Sequence, residues 1–333
     1  MQSQQQSAEA TELNISVCPL QENDLSVADQ VMRLAFGTFL GLPEPIAFMG
    51  DAGYVKTRWR ANPSAAFAAK LGTELVGSNF ATNWGSFGFF GPLTVHPKLW
   101  NQGVGKRLIE PVLECFHQWE IRQAGLFTFA QSEKHIWFYQ KFDFWPQFLI
   151  AIMSKPVRHI QCEVQWTKFS EVSAVEHEAM LHATCQVTDA IYEGLDVSTE
   201  VRAVAQQALG ETVLLWGDGG LIGLAVCHYG SGTEAGSGVC YIKFGAVKPG
   251  PTAAQDFDHL LTACEAMAAA RGLARLAAGV NTARHEAYRQ MLEFGFRTDL
   301  QGVAMQRRNE SGYNRPGGRY ESQTQASGDR LRG

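Results

Sequence analysis

The sequence predicts an α/β protein of the α+β kind, built as two tandem modules that each carry a mixed, mostly antiparallel central sheet flanked by helices. Three observations lead there. The chain has 333 residues, 45% hydrophobic and 18% charged, which is ample apolar material for two cores. Apolar positions recur at gaps of three and four in some segments and crowd into short β-rich runs in others. The same order of elements then occurs twice, with a period of about 150 residues, which points to duplication.

Residues 1–13, MQSQQQSAEATEL, lack a basic or apolar region and read as a disordered arm. A strand is expected at about 14–19 and helices at about 25–39 and 52–60. Strands at 65–71 and 74–83 follow, joined by the Gly72-Thr73 turn. The next strand, 87–95, ends in Val95-His96-Pro97, and Gly103-Val104-Gly105 opens a helix over 103–121. Its apolar positions, 104, 108, 109, 112, 113 and 116, form one face. A short buried strand at 126–129, a helix at 132–142 and a strand at 144–153 complete the module, so 14–153 is the first expected domain. Ser154-Lys155-Pro156 suggests a linker, set at 154–158.

The second expected domain, 159–307, repeats this order. Helices at 171–192 and 199–208 precede strands at 212–217, 220–228 and 239–247. A helix around 257–271, a strand at 273–280, a helix at 281–294 and a strand at 296–306 follow. Residues 308–333, rich in polar residues and glycine, read as a disordered tail.

A net charge of −5 argues against a general nucleic-acid binder. No run approaches the eighteen apolar residues of a membrane span. Seven dispersed cysteines without a Cys-x-x-Cys pair fit reduced thiols, so a cytoplasmic protein is expected, a monomer or homodimer. Helix-entry glycines leave backbone N–H groups free, and the helix dipole there favours a phosphate. The third glycine of a dinucleotide fingerprint is missing, since Leu108 stands in its place, and no Gly-Lys-Ser/Thr follows. That sets aside a dinucleotide oxidoreductase and a P-loop enzyme.

A central strand ending Val-x-Pro, a glycine loop, a helix, a short strand, then a helix carrying Phe138-Tyr139-Gln140-Lys141-Phe142 resembles the GNAT superfamily of acyl-CoA-dependent N-acyltransferases. The likeness covers 15–153 and recurs more faintly over 160–307, as in a tandem protein. It implies transfer of an acetyl or other acyl group from acetyl-CoA (acyl-CoA) to a primary amine, small-molecule or peptide, by direct attack in a ternary complex. It implies no metal. Carried over, the strand backbone that holds the pantetheine arm falls on Leu93, Thr94 and Val95. The pyrophosphate loop falls on Asn101, Gln102, Gly103, Val104, Gly105 and Lys106, and the general acid on Tyr139. The region lining the acceptor site offers Glu44 or Asp51 as base or substrate-binding carboxylate. The family's pattern departs at Trp100, Ser132 and Asp143, and the second half has prolines 249 and 251 where a phosphate loop would lie. That half is read as a degenerate copy that shapes the cleft. The alternative is a non-catalytic acyl-CoA-binding or scaffolding protein.

Overall fold

The computed structural model describes residues 14–159, 163–310 and 312. The expected arm at 1–13 and most of the expected tail at 308–333 lie outside the described residues. In chain order the elements of the first half are β1 (Ile15–Pro19), α1 (Leu25–Phe39), α2 (Val55–Ala61), β2 (Ala66–Leu71), β3 (Glu74–Trp84), β4 (Phe87–Phe90), β5 (Thr94–Val95), α3 (Val104–Gln118), β6 (Gln123–Phe129), α4 (Glu133–Gln140) and β7 (Phe144–Pro156). The second half gives β8 (Trp166–Lys168), α5 (His177–Asp189), α6 (Ser198–Gln207), β9 (Gly210–Gly217), β10 (Gly220–Gly230), β11 (Gly236–Val247), α7 (Ala253–Ala270), β12 (Arg275–Asn281), α8 (His285–Glu293) and β13 (Arg297–Arg307). This is the expected fold class, a mixed and mostly antiparallel sheet with helices on both faces.

All strands join one sheet in the order β1-β2-β3-β4-β6-β13-β7-β12-β11-β10-β9-β8, with β5 on β3. Only β4 with β6 and β11 with β12 run parallel. The halves exchange their last strands. β13 from the second half lies between β6 and β7, and β7 from the first half lies between β13 and β12. Gly302, for example, stands opposite both Phe129 and Ile150. A sequence period reports which face of a strand is buried but not which strand lies beside it.

This corrects the expected linker at 154–158. Ser154, Lys155 and Pro156 are the last residues of β7, opposite Ala277, Leu276 and Arg275. The Lys155 ammonium is buried against the Glu265 carboxylate, which also accepts the Arg158 N–H at 2.9 Å. A second correction concerns the strand at 87–95. It is two pieces, because Pro92 has no N–H for the ladder and the register to β3 slips by one residue between Phe90 opposite Ala81 and Thr94 opposite Ser78. The start of the expected tail is also held: Arg308 N–H bonds the Asp143 carbonyl, and Gln123 Nε2 donates to the Glu310 carbonyl at 2.6 Å.

Alternation along the strands divides the interior into cores on opposite faces. Under α3 and α4, Val104, Leu108, Ile109 and Val112 pack with Val76, Leu126 and Val303. On the other face α1 and α2 cover Leu75 and Phe80. Likewise α7 and α8 cover Cys227 and Ala278, while α5 and α6 cover Leu224 and Phe244. A buried ionic chain joins the halves. Arg58 of α2 meets Glu234 at 3.0 Å; Lys243 of β11 meets Glu234 at 3.0 Å and Glu200 at 2.9 Å. Trp84 Nε1 donates to Glu200 at 3.0 Å, and Arg58 donates to the Gly91 carbonyl. His228 sits among these groups with neither ring nitrogen hydrogen-bonded. Burial pulls its pKa from 6.5 down to about 4; Lys243 and Arg58 act in the same direction, and Glu234 and Glu200 oppose them.

Two outcomes are expected. Cutting the chain after Phe296 removes β13 and leaves β6 and β7 without their shared neighbour, so both halves should lose cooperative unfolding in a calorimetric scan. A retained sharp transition would show that the exchange is dispensable. Between pH 6.5 and about 4 the unfolded chain binds a proton at His228 that the folded chain does not. Stability should therefore fall by about 3 kcal/mol as pH drops through that window. Urea midpoints at the two ends of the window should differ in the native chain and converge in His228→Phe.

Candidate active site

β4 and β6 run side by side only where Phe87, Gly88 and Phe89 face Gln123, Ala124 and Gly125. Beyond Phe90 they part. The first strand turns along β3 through Thr94 and Val95, while β6 continues beside β13 through Phe129. The result is a V-shaped gap in the middle of the sheet. His96 N–H bonds the Val76 carbonyl, and Thr94 lies opposite Ser78, so the backbone groups of Leu93 and Val95 point the other way, into the gap. The Ser78 and Thr94 hydroxyls, 3.2 Å apart and buried, tie this stretch to β3. One gap-facing group is occupied: Trp100 Nε1 donates to the Val95 carbonyl at 2.8 Å. The departure from the family at Trp100 thus has a structural role.

The loop at the mouth of the gap is shaped by two left-handed residues, Asn101 at φ 65° and Gly103 at φ 79°. Gly103 caps α3, and a side chain there would project into open space. The first helical bond runs from Arg107 N–H to the Gly103 carbonyl, so the N–H groups of Val104, Gly105 and Lys106 have no partner inside the helix. The helix is anchored from below, because buried Asn79 donates from Nδ2 to the Leu108 carbonyl at 3.1 Å. Gly105 serves a different purpose from Gly103. A Cβ there would come within 3.2 Å of the Phe138 ring, so its smallness lets α4 lie close over α3. Gln102 folds back onto the Lys98 carbonyl at 3.0 Å, and Lys106 is exposed.

Tyr139 of α4 packs edge-on against Phe90, the last residue before the strands part, with ring centroids 5.9 Å apart. Its ring is half-buried, and desolvation pushes the phenol pKa well above its usual value. Among the described residues its hydroxyl makes no hydrogen bond. Asp143, where the family pattern has glycine, adopts φ 64° and accepts from Trp145 Nε1 at 2.7 Å, so the left-handed turn is kept by another residue. Ser132 caps α4 by accepting from the His135 N–H.

The two acceptor-side carboxylates differ. Asp51 accepts from the Ser237 N–H at 3.0 Å and its hydroxyl at 2.5 Å; these bonds lower its pKa and make it a joint to the β10–β11 loop. Glu44 is exposed at the short turn before Ala47. Sequence reasoning missed two features. His135 packs at a tilt against Phe39, ring centroids 4.8 Å apart, with Nδ1 buried and unpartnered, and burial lowers its pKa. Its place four residues before Tyr139, on the same helix face, was the available signal. A hollow of about 480 Å³ opens beside it, lined by Phe39, Leu40, Gln131, Ser132, Glu133 and Lys134. Among the described residues no cluster of histidine, cysteine and carboxylate side chains is placed to hold a metal ion.

Residues 32–144 match the model of the acetyltransferase (GNAT) family. That family transfers acyl groups from acyl-CoA. No curated protein matches the sequence. Solved structures establish the fold along nearly the whole chain. A provisionally assigned acetyltransferase from Pyrococcus horikoshii is 12% identical, covers 95% of each chain and superposes with a TM-score of 0.62. A GCN5-related N-acetyltransferase from Sphaerobacter thermophilus is 14% identical over 88% of this chain and 95% of its own, with a TM-score of 0.56. A tandem GNAT protein of the clavulanic acid biosynthesis pathway is 13% identical over 90% of this chain and 100% of its own, with a TM-score of 0.54. No described helix is long and apolar enough to cross a membrane.

Proposed function

We propose that this chain transfers an acetyl or other acyl group from acyl-CoA to a primary amine, with the cofactor held in the first half and the amine attacking directly in a ternary complex. The observation that carries this reading is the parting of β4 from β6, with the unpaired N–H groups of 104–106 at its mouth. Acyl-CoA supplies an activated acyl group; the chain supplies position and polarity. The amides of Val104, Gly105 and Lys106, with the positive end of α3, suit a diphosphate. Asn101 and Gly103 give the loop the left-handed turns that present those amides, and Gln102 braces it.

The gap-facing groups of Leu93 and the Val95 N–H suit the amides of a pantetheine arm, while Thr94 anchors the strand from the other side. Tyr139, like any phenol, keeps its proton at neutral pH and can give it to a departing thiolate, although the burial that raises its pKa weakens it as an acid. No described cysteine falls on β4, β6, the loop or α4, which favours direct attack over a covalent enzyme intermediate. Glu44 is retained as the acceptor-side carboxylate, base or substrate-binding; Asp51 is already engaged by Ser237.

Gly103→Glu places a carboxylate where the diphosphate charge would sit. It should abolish the thermal shift produced by acetyl-CoA, whereas Gly103→Asn, which tolerates the left-handed turn, should retain it. At 100 times its dissociation constant the ligand should stabilise the native chain by about 2.7 kcal/mol. Equal shifts in both variants would remove the loop as the binding site. Tyr139→Phe should lower kcat by about 100-fold, within the usual range for general acids, with acetyl-CoA affinity unchanged. Turnover equal to the native chain's would eliminate Tyr139 as the acid.

A further inference from the structure

Next to the gap, part of one face of the sheet's middle is covered by none of the four apolar cores, although Phe129 on that face lies under Phe36 and Phe39 of α1 and Asn281 beside Ile150 is buried. Along β6, β13, β7 and β12, Leu126, Val303, Ala151, Met153 and Ala278 face the cores under α3, α4, α7 and α8. The alternate residues face the other way. Gly302 has no side chain, and the Phe127 ring lies where its Cβ would be. A Cβ at exposed Gly279 would meet the Ile152 side chain at 3.2 Å and that of Ile150 at 3.9 Å, so these three share that face. Phe127, Ile150, Ile152, Ala277 and Leu300 belong to none of the four apolar cores. Phe127 is 40% exposed and Leu300, opposite Ile152, 39%.

α1 packs on β3 and β5 at one side of this strip, and α5 on β10 and β11 at the other. Three strand spacings separate Phe127 from Gly279, roughly 14 Å. Both halves build the strip, and the strand exchange is what makes it continuous. A contiguous apolar surface of this kind marks a site of binding.

Two features identify its occupant. Phe127 lies on the part of β6 that has left β4, so a molecule on the strip has one end at the gap. The segment between α1 and α2 shows the same chemistry: Leu40, Leu42, Ile46 and Met49 are exposed, and Phe36 stacks on Phe48 at 5.3 Å. The strip itself carries no carboxylate to attract a polycation; the first charges along it are the Arg275–Asp299 pair at its far end.

We infer that the acceptor is a primary amine with an extended apolar body, which lies across β6, β13, β7 and β12 with its nitrogen at the gap. This rests on the transferase reading and names its substrate class. The two halves of the molecule thereby divide the work. The first binds the acyl donor, and the exchanged strands with β12 hold the acceptor.

Straight-chain primary amines from propylamine to dodecylamine test this, because the nitrogen chemistry stays constant while apolar length grows. With acetyl-CoA, kcat/KM should rise about fourfold per methylene until the strip is filled. Ile152→Ser should flatten that rise, leaving propylamine turnover and acetyl-CoA affinity unchanged. Direct binding of dodecylamine without acetyl-CoA, read by calorimetry, should weaken at least tenfold in the same variant. A flat length profile, a preference for spermidine over dodecylamine, or native binding in Ile152→Ser would overturn the proposal. So would light scattering that shows a dimer dissociated by Ile152→Asp, since the strip would then be an interface between copies. Failure of the native chain to bind acetyl-CoA would instead remove the transferase reading, and the dodecylamine binding result would still stand on its own.

Discussion

The pairing of β7 with β13 is the constraint on which the rest of the molecule depends. Each of these strands is the last of its own half, and each is hydrogen-bonded into the other half's sheet on its far side. Neither sheet can be completed alone. The buried Lys155–Glu265 pair shows how much rests there: Lys155 is carried by the exchanged strand of the first half, and Glu265 by α7 of the second. Removing one member of such a pair strands a buried charge, at a cost of about 3–5 kcal/mol. The exchange also fixes how the two helix layers face each other, which in turn permits the Arg58–Glu234–Lys243–Glu200 chain to close between them.

That constraint explains why the gap between β4 and β6 can stay open. A parted pair of strands exposes backbone donors and acceptors that would ordinarily be satisfied by a neighbour. Here β6 is held on its other edge by β13, and the Leu93–Val95 segment by β3, so the strands need no contact with each other. The two walls of the opening belong to different parts of one continuous sheet. Trp100 and Asp143 both depart from the family pattern, yet one bonds the strand and the other keeps the turn.

Much of this was legible in the sequence because local rules decided it. α1 spans Leu25–Phe39 as expected, the Gly72 turn joins antiparallel strands, and the buried face of α3 carries Val104, Leu108, Ile109 and Val112. What escaped was set by distant partners. Nothing local distinguishes Ser154-Lys155-Pro156 from a linker, because Glu265 lies more than a hundred positions away and gives the lysine its burial. The break at Pro92 was visible as a proline within an apolar run, but the one-residue slip against β3 was not. Among the candidate site residues, the helix-entry glycines were readable from the sequence, while Tyr139 was offered by the family resemblance. The engagement of Asp51 by Ser237 required knowing that the β10–β11 loop reaches back to the first half.

The second half sharpens the comparison, since it was built on the same plan. β11 and β12 also run parallel only over Val239–Ile242 and then separate. The turn before α7 differs from the one before α3, because Pro249 and Pro251 carry no N–H ahead of the N-cap Thr252. Lys243 stands just past the last parallel pair, and its ammonium is bound by both Glu200 and Glu234. The corresponding position in the first half is Phe90, packed against Tyr139, where the second half has a paired, buried cation. An ammonium held by two carboxylates, one of which also binds Arg58 from the other half, is a structural fastener. The buried chain therefore ties the second opening to α2 of the first half.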